Sequence, residues 1–129
     1  MFTLEQIEAE QAKIQSAADF PAFVKALKAL GVASFTTHAI DSSTTYNGAT
    51  DFSITSLPLY PKLEINEAVN PDNFLARLKM HQQRKTDYFT FCKDCLENGV
   101  VLWKVKMDEM TCEYVDKDFK TVHIERIPA

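Results

Sequence analysis

The chain has 129 residues, 46% of them apolar and 25% charged, the balance of one globular domain large enough to bury a real core. A net charge of −4, with no Lys/Arg cluster beyond Arg84-Lys85, argues against a surface that releases counterions from nucleic-acid phosphates. No run reaches the roughly 18 apolar residues of a membrane span. The opening Met1-Phe2-Thr3-Leu4-Glu5 lacks the basic and apolar regions of a signal peptide, so the expected compartment is the cytoplasm. Three cysteines, an odd number, are then expected as reduced thiols rather than a disulfide framework.

Residues 3–17 predict an amphipathic helix with Leu4, Ile7, Gln11, Ile14 and Ala18 along one stripe. Asp19-Phe20-Pro21 breaks and restarts it, and a second helix over 20–30 puts Phe20, Phe23, Val24, Leu27 and Leu30 on one face before Gly31. The pattern then changes to short β-type runs. Val32 to Ile40 and Thr44 to Tyr46 read as strands about an Asp41-Ser42-Ser43 turn; Asn47-Gly48 marks another turn, and Asp51 to Ile54 a third strand. Leu57-Pro58-Leu59-Tyr60-Pro61 is an irregular connection, followed by a short strand at Leu63 to Ile65.

Pro71 opens a helix to about Gln83, with Phe74, Leu75 and Leu78 as its apolar stripe and His81 and Gln82 near the same face. The next helix, N-capped by Thr86 and stopped by Gly99, gathers Tyr88, Phe89, Phe91, Cys92, Cys95 and Leu96 within an arc of roughly 160°. Asp94 and Asn98 fall on its polar side. In the hairpin that follows, an Asp108-Glu109 turn pairs Met107 with Met110, Val105 with Cys112 and Trp103 with Tyr114, and Val101 shares their buried face. A last strand, Thr121 to Ile127, turns Val122 and Ile124 to the core and His123 away. No internal repeat, low-complexity segment or dividing linker is expected. Helices and strands come in blocks, so the expectation is α+β: an antiparallel sheet of short hairpin-connected strands packed on one side by about four helices.

Chemistry is sparse in this pattern. Cys92 and Cys95 stand in a CxxC spacing, and with Cys112 and His81 they could supply four ligands to zinc. Structural zinc pairs sit in tight turns, however, and redox dithiols at helix N-termini, whereas these thiols lie mid-helix on an apolar face. Packed core thiols are the simpler expectation. Local spacing ties no histidine to a nucleophile and a carboxylate, and the three glycines, each isolated, form no phosphate loop. The irregular stretch 44–61, with Tyr46, Asp51 and Tyr60, is the expected binding loop.

The run from His81 to Cys92, then Gly99-Val100, Trp103 and Met110-Thr111-Cys112-Glu113-Tyr114, resembles the YbcV-like family of unknown function. Ala18-Asp19-Phe20-Pro21, the Leu27 to Val32 run and Thr44-Thr45-Tyr46-Asn47-Gly48 are similar to its opening helices and first hairpin, so the likeness covers nearly the whole chain. The resemblance implies a small single-domain bacterial protein, often labelled a phage envelope protein, and brings no catalytic set. The expected function is a non-catalytic module binding a protein or small molecule, with a homodimer permitted. The alternative is a thiol- or metal-dependent enzyme or redox protein using Cys92, Cys95 and Cys112.

Overall fold

The computed structural model describes residues 2–128; Met1 and Ala129 lie outside them. Helices α1 (Leu4–Gln11) and α2 (Phe20–Leu30) lead into strands β1 (Val32–His38), β2 (Thr44–Gly48) and β3 (Ser53–Thr55). Helices α3 (Pro71–Gln82) and α4 (Tyr88–Glu97) lead into β4 (Val100–Lys106), β5 (Thr111–Asp116) and β6 (Thr121–Arg126). The strands form one open antiparallel sheet in the order β3-β2-β1-β4-β5-β6, which is the expected α+β architecture. The helices cover one face, α2 against β1 and α4 against β4. No helix among the described residues is long and apolar enough to cross a membrane.

The chain does contain an internal repeat. Residues 19–48 correspond one for one, without a gap, to residues 87–116. Asp19 and Asp87, Phe23 and Phe91, Lys25 and Lys93, Gly31 and Gly99, Val32 and Val100, and Tyr46 and Tyr114 are identical at matching positions. Both aspartates are N-caps and both glycines close their helices with positive φ, 104° and 83°. Even the hairpin turns agree, with Ser42 and its counterpart Met110 at φ 63° and 52°. In the β1–β4 ladder Phe35 pairs with Val105 and Thr37 with Trp103, each the image of the other about the central Thr36–Lys104 pair. The molecule is thus two ααβββ halves related by a local twofold. Composition differs enough between the halves, Val24 against Cys92 for instance, that burial equivalence is visible only in the fold.

The β4–β5 hairpin has the expected register, Trp103 against Tyr114 and Val105 against Cys112. Other expectations need correction. Helix α1 ends at Gln11, not 17; Asp19 turns back to accept hydrogen bonds from Gln15 N (2.8 Å) and Ser16 N (3.3 Å), which fixes a separate 3₁₀ turn at Ala17–Asp19. Strand β2 continues through Asn47 and Gly48, so the turn falls after them. Leu63 to Ile65 joins no ladder; Leu63 N donates to Ile40 O and Asn66 N to Leu96 O as isolated bonds. Helix α4 is capped by Asp87, whose carboxylate accepts from Thr90 N at 2.8 Å, a stronger acceptor than the Thr86 hydroxyl.

A bulge between Val100 and Leu102 buries Val100 rather than Val101. A second bulge, opposite the Tyr114–Val115 step, leaves Val122 of β6 unpaired; Val122 packs against the core as expected, and the residues after it change face. Ile124 is 56% exposed, while His123 stacks on Tyr114. On α3, Leu75 is exposed and Phe74 and Leu78 are buried. On α4, Asp94 and Asn98 are buried instead of solvated: Asp94 Oδ2 lies 3.0 Å from Arg77 Nε, off the donor axis, and Asn98 Oδ1 accepts from Asn73 Nδ2 at 2.7 Å. Both contacts hold α4 to α3, a second packing surface that a single amphipathic stripe does not anticipate.

Candidate functional site

Two helix pairs over a six-stranded sheet do not close over its centre. A cavity of about 1100 Å³ lies between them, slightly above the roughly 300–1,000 Å³ usual for small-molecule sites and far above what close packing leaves by chance. Its floor is the inner sheet face: Phe35 and Thr37 of β1, Thr44 and Tyr46 of β2, Trp103 of β4, and Cys112 and Tyr114 of β5. Alternation along each strand puts these residues on one face and Thr36, Thr45, Lys104 and Glu113 on the other. Helices supply Ile7 and Gln11, Phe20 and Phe23, Leu78, His81 and Gln82, and Tyr88 and Phe91. Exposed lining residues mark where it meets solvent: Ile14 and, on the loop after β3, Leu57 and Leu59 at 81% and 70% exposed.

The repeat builds this chamber. Phe20 matches Tyr88, Phe23 matches Phe91, Phe35 matches Trp103, Thr44 matches Cys112 and Tyr46 matches Tyr114, and all ten line it. At one side Phe91, Trp103 and Tyr114 form an aromatic cluster with centroid separations of 5.5 to 6.4 Å, and Tyr88 sets its ring edge-on to Trp103 at 6.2 Å. His81 stacks on Phe91 at 4.4 Å.

Several of the polar lining groups are paired with one another. Thr37 and Thr44 share a buried hydroxyl bond of 2.9 Å, and Ser42 and Tyr88 one of 2.6 Å. Gln11 Nε2 donates to the Tyr46 hydroxyl at 3.2 Å. Gln82 Nε2 reaches both Glu125 oxygens, at 2.8 and 2.7 Å. Burial pushes the Tyr46 hydroxyl up to about 12 and raises Tyr114 well above its ordinary value, so both stay protonated. Burial also lowers His81, outweighing the Thr86 carbonyl and the Asp87 and Asp94 charges, which leaves a neutral ring at pH 7. Its Nδ1 lies 3.1 Å from Thr86 O and 3.2 Å from Thr86 Oγ1, and Nε2 has no hydrogen-bond partner among the described residues.

Much of the expected binding stretch lines the cavity, through Thr44, Tyr46 and Ser56 to Leu59, but of its three named residues only Tyr46 does. Tyr60 donates to Ala39 O at 2.7 Å and packs edge-on against Phe89, so it anchors the loop; Asp51 is exposed in the turn before β3. Cys92, Cys95 and Cys112 are free and at most 2% exposed. No group of three or more His, Cys, Asp or Glu among the described residues is arranged to hold a metal ion. Burial raises all three thiols, Cys112 to about 12 and Cys95 with added repulsion from Cys92, Asp94 and Cys112. A thiol kept protonated is a poor nucleophile and a poor ligand. The repeat also explains the CxxC spacing, because Cys92 and Cys95 occupy the buried positions filled by Val24 and Leu27 in the first half.

Trp103 and Tyr114 read from sequence as plain core, Cys112 as a core thiol or a zinc ligand, and Thr37, Thr44, Gln82 and Glu125 carry no local motif. The signal that could have found them is the repeat, which sets the aromatic positions of each half against one another. An open antiparallel sheet, duplicated about a local twofold and roofed on one face by two helix pairs with a chamber between, is the class this architecture defines. The chain belongs to DUF1398, a family of proteins of unknown function, whose model matches residues 8–126. No curated protein matches it.

Proposed function

We propose that the protein is a non-catalytic binding module for a small, largely apolar molecule held between the sheet and the helices. The carrying observation is the chamber of about 1100 Å³, lined by rings from both halves with hydroxyl and amide groups already paired at its walls. A lining of this kind supports burial of a ligand body with orientation by a few polar contacts. Its lining thiol is held protonated, and its hydroxyl pairs Thr37–Thr44 and Ser42–Tyr88 contain no base, which favours binding over bond-making. Of the two occupants the sequence allows, a protein or a small molecule, the concave shape favours the small molecule.

The phage-envelope label rests on the resemblance to YbcV-like proteins and adds no chemistry to the chamber. A cytoplasmic location is consistent with three buried free thiols, and an acidic chain is consistent with a partner other than nucleic acid. Homodimerisation through an edge strand would leave the chamber, which lies within one chain, unchanged.

Trp103, the single tryptophan, lies in the floor and serves as a built-in reporter. The neutral dye Nile red is expected to bind saturably, one molecule per chain, with energy transfer from Trp103. Weak, non-saturating dye uptake with Trp103 emission unchanged would sink the proposal. Zinc retained in native mass spectrometry and lost on unfolding would favour the thiol-site alternative instead.

A further inference from the structure

The apolar walls of the chamber follow the local twofold, but its charge does not. Opposite Thr44, the loop after β3 places Ser56, whose hydroxyl accepts from Thr44 N at 3.0 Å. Opposite Cys112, the counterpart of Thr44, strand β6 places Glu125. Because the bulge at Val122 changes the face of the residues after it, this carboxylate lies on the inner face beside Cys112 and Tyr114.

The remaining charged lining residues do not neutralise it. Glu8 is a second carboxylate, His81 is neutral, and Arg126, the permanent cation of the lining, stands in register with Thr111 on the alternate face to Glu125 and makes no salt bridge with it. Glu125 makes no salt bridge among the described residues; its one side-chain partner is the neutral amide of Gln82. One end of an aromatic chamber therefore carries an anion without a counter-ion. The rings of Trp103, Tyr114 and Phe91 lie on the same side and present electron-rich faces of the kind that attract organic cations.

Resting on the binding-module reading, we propose that the ligand is an organic cation: an apolar or aromatic body carrying one amine or quaternary ammonium group, seated with its charge towards Glu125 and its body across the Phe35 and Tyr46 floor. The same wall disfavours fatty acids and other anionic amphiphiles, which would bring a further negative charge beside a carboxylate that no cation pairs. Glu125 is a specificity residue in this arrangement, because the body's burial does not depend on it.

The test uses three probes with the same decyl chain, each below its micellar concentration: decyltrimethylammonium, decanol and decanoate, followed by Trp103 fluorescence. Decyltrimethylammonium is expected to bind about tenfold more tightly than decanol, and decanoate more weakly than both. Glu125→Gln should bring the ammonium compound down to the level of decanol while leaving decanol unchanged. Added salt should weaken binding of the ammonium compound and spare decanol, a reading on the native chain that does not depend on the variant folding. Decanoate binding as tightly as the ammonium compound, or an ammonium preference insensitive to both Glu125→Gln and salt, overturns the cation assignment while decanol binding preserves the chamber. Failure of all three probes overturns the chamber reading, and this inference with it.

Discussion

Gly99 shows how narrowly one position can be constrained. Its φ is 83°, and a Cβ there would meet Val69 Cα at 2.8 Å and Ala68 O at 2.9 Å, both backbone atoms that cannot swing aside. Gly31, its counterpart, has the same hand but only Phe2 nearby, at 4.0 Å. Gly99→Ala is therefore expected to destabilise the chain by about 3 kcal/mol and Gly31→Ala by about 1 kcal/mol, measured by urea unfolding. Equal losses would mean that the segment before α3 yields.

His81 makes a prediction with a sign. Burial holds its folded pKa below the usual 6.5, so between those two values the unfolded chain binds the extra proton. Its contribution is complete above about pH 6.5 and is lost as pH falls through that window towards the folded pKa. Unfolding midpoints taken between about pH 5 and about pH 7.5 should fall on acidification, and His81→Gln should flatten that part of the curve. An unchanged slope in the variant would assign the acid loss elsewhere.

Between elements, the α3–α4 contact rests on a carboxylate that its sequence neighbours did not reveal. Asp94 sits where a helical wheel puts solvent, yet it is buried because α3 crosses that side of α4 and brings Arg77 to it. Removing the arginine leaves a buried charge alone, so Arg77→Met should cost about 2 kcal/mol, reduced from the fully buried case because Arg77 is partly exposed. The double change Arg77→Met with Asp94→Leu should recover a good part of that loss. A double variant no better than the single one would show that the pair is incidental.

The same scale shows what the sequence could tell. Amphipathic periodicity located α2, α3, α4 and the β4–β5 hairpin, register included, because each buries a face determined by its own residues. The faces of β6 escape the alternation because β6 itself carries a bulge: Val122 has no partner between the Tyr114–His123 and Val115–Thr121 pairs, which shifts the register of the residues after it. Leu63 to Ile65 had strand composition without a strand to pair with. Asp94 and Asn98 were assigned to solvent because a one-stripe reading has no term for a second helix.

For the whole molecule, the chamber is illegible in the sequence because the rings that form its floor read locally as core. Only the fold shows that Tyr46 and Tyr114, at matching positions of the two halves, both line a space instead of filling it. The same duplication makes a prediction about the thiols. Cys92 stands where the first half has Val24, both fully buried, so Cys92→Val should fold with a stability within about 1 kcal/mol of the parent and keep its Nile red binding. Lost dye binding in a folded Cys92→Val chain would give the thiol a role in the site.

The sheet order β3-β2-β1-β4-β5-β6 also shapes how the chain reaches this state. Each run of three strands is a meander whose pairings close over short loops, while the β1–β4 ladder alone joins partners far apart in the chain, as in His38 with Leu102. Loop-closure entropy makes that seam the slow element to form. The two meanders can each assemble beforehand, and the seam is also what brings their aromatic faces together. The chamber is therefore expected to form with that seam, and a ligand held there to slow unfolding more than it speeds folding, a difference that unfolding and refolding rates with and without Nile red would read.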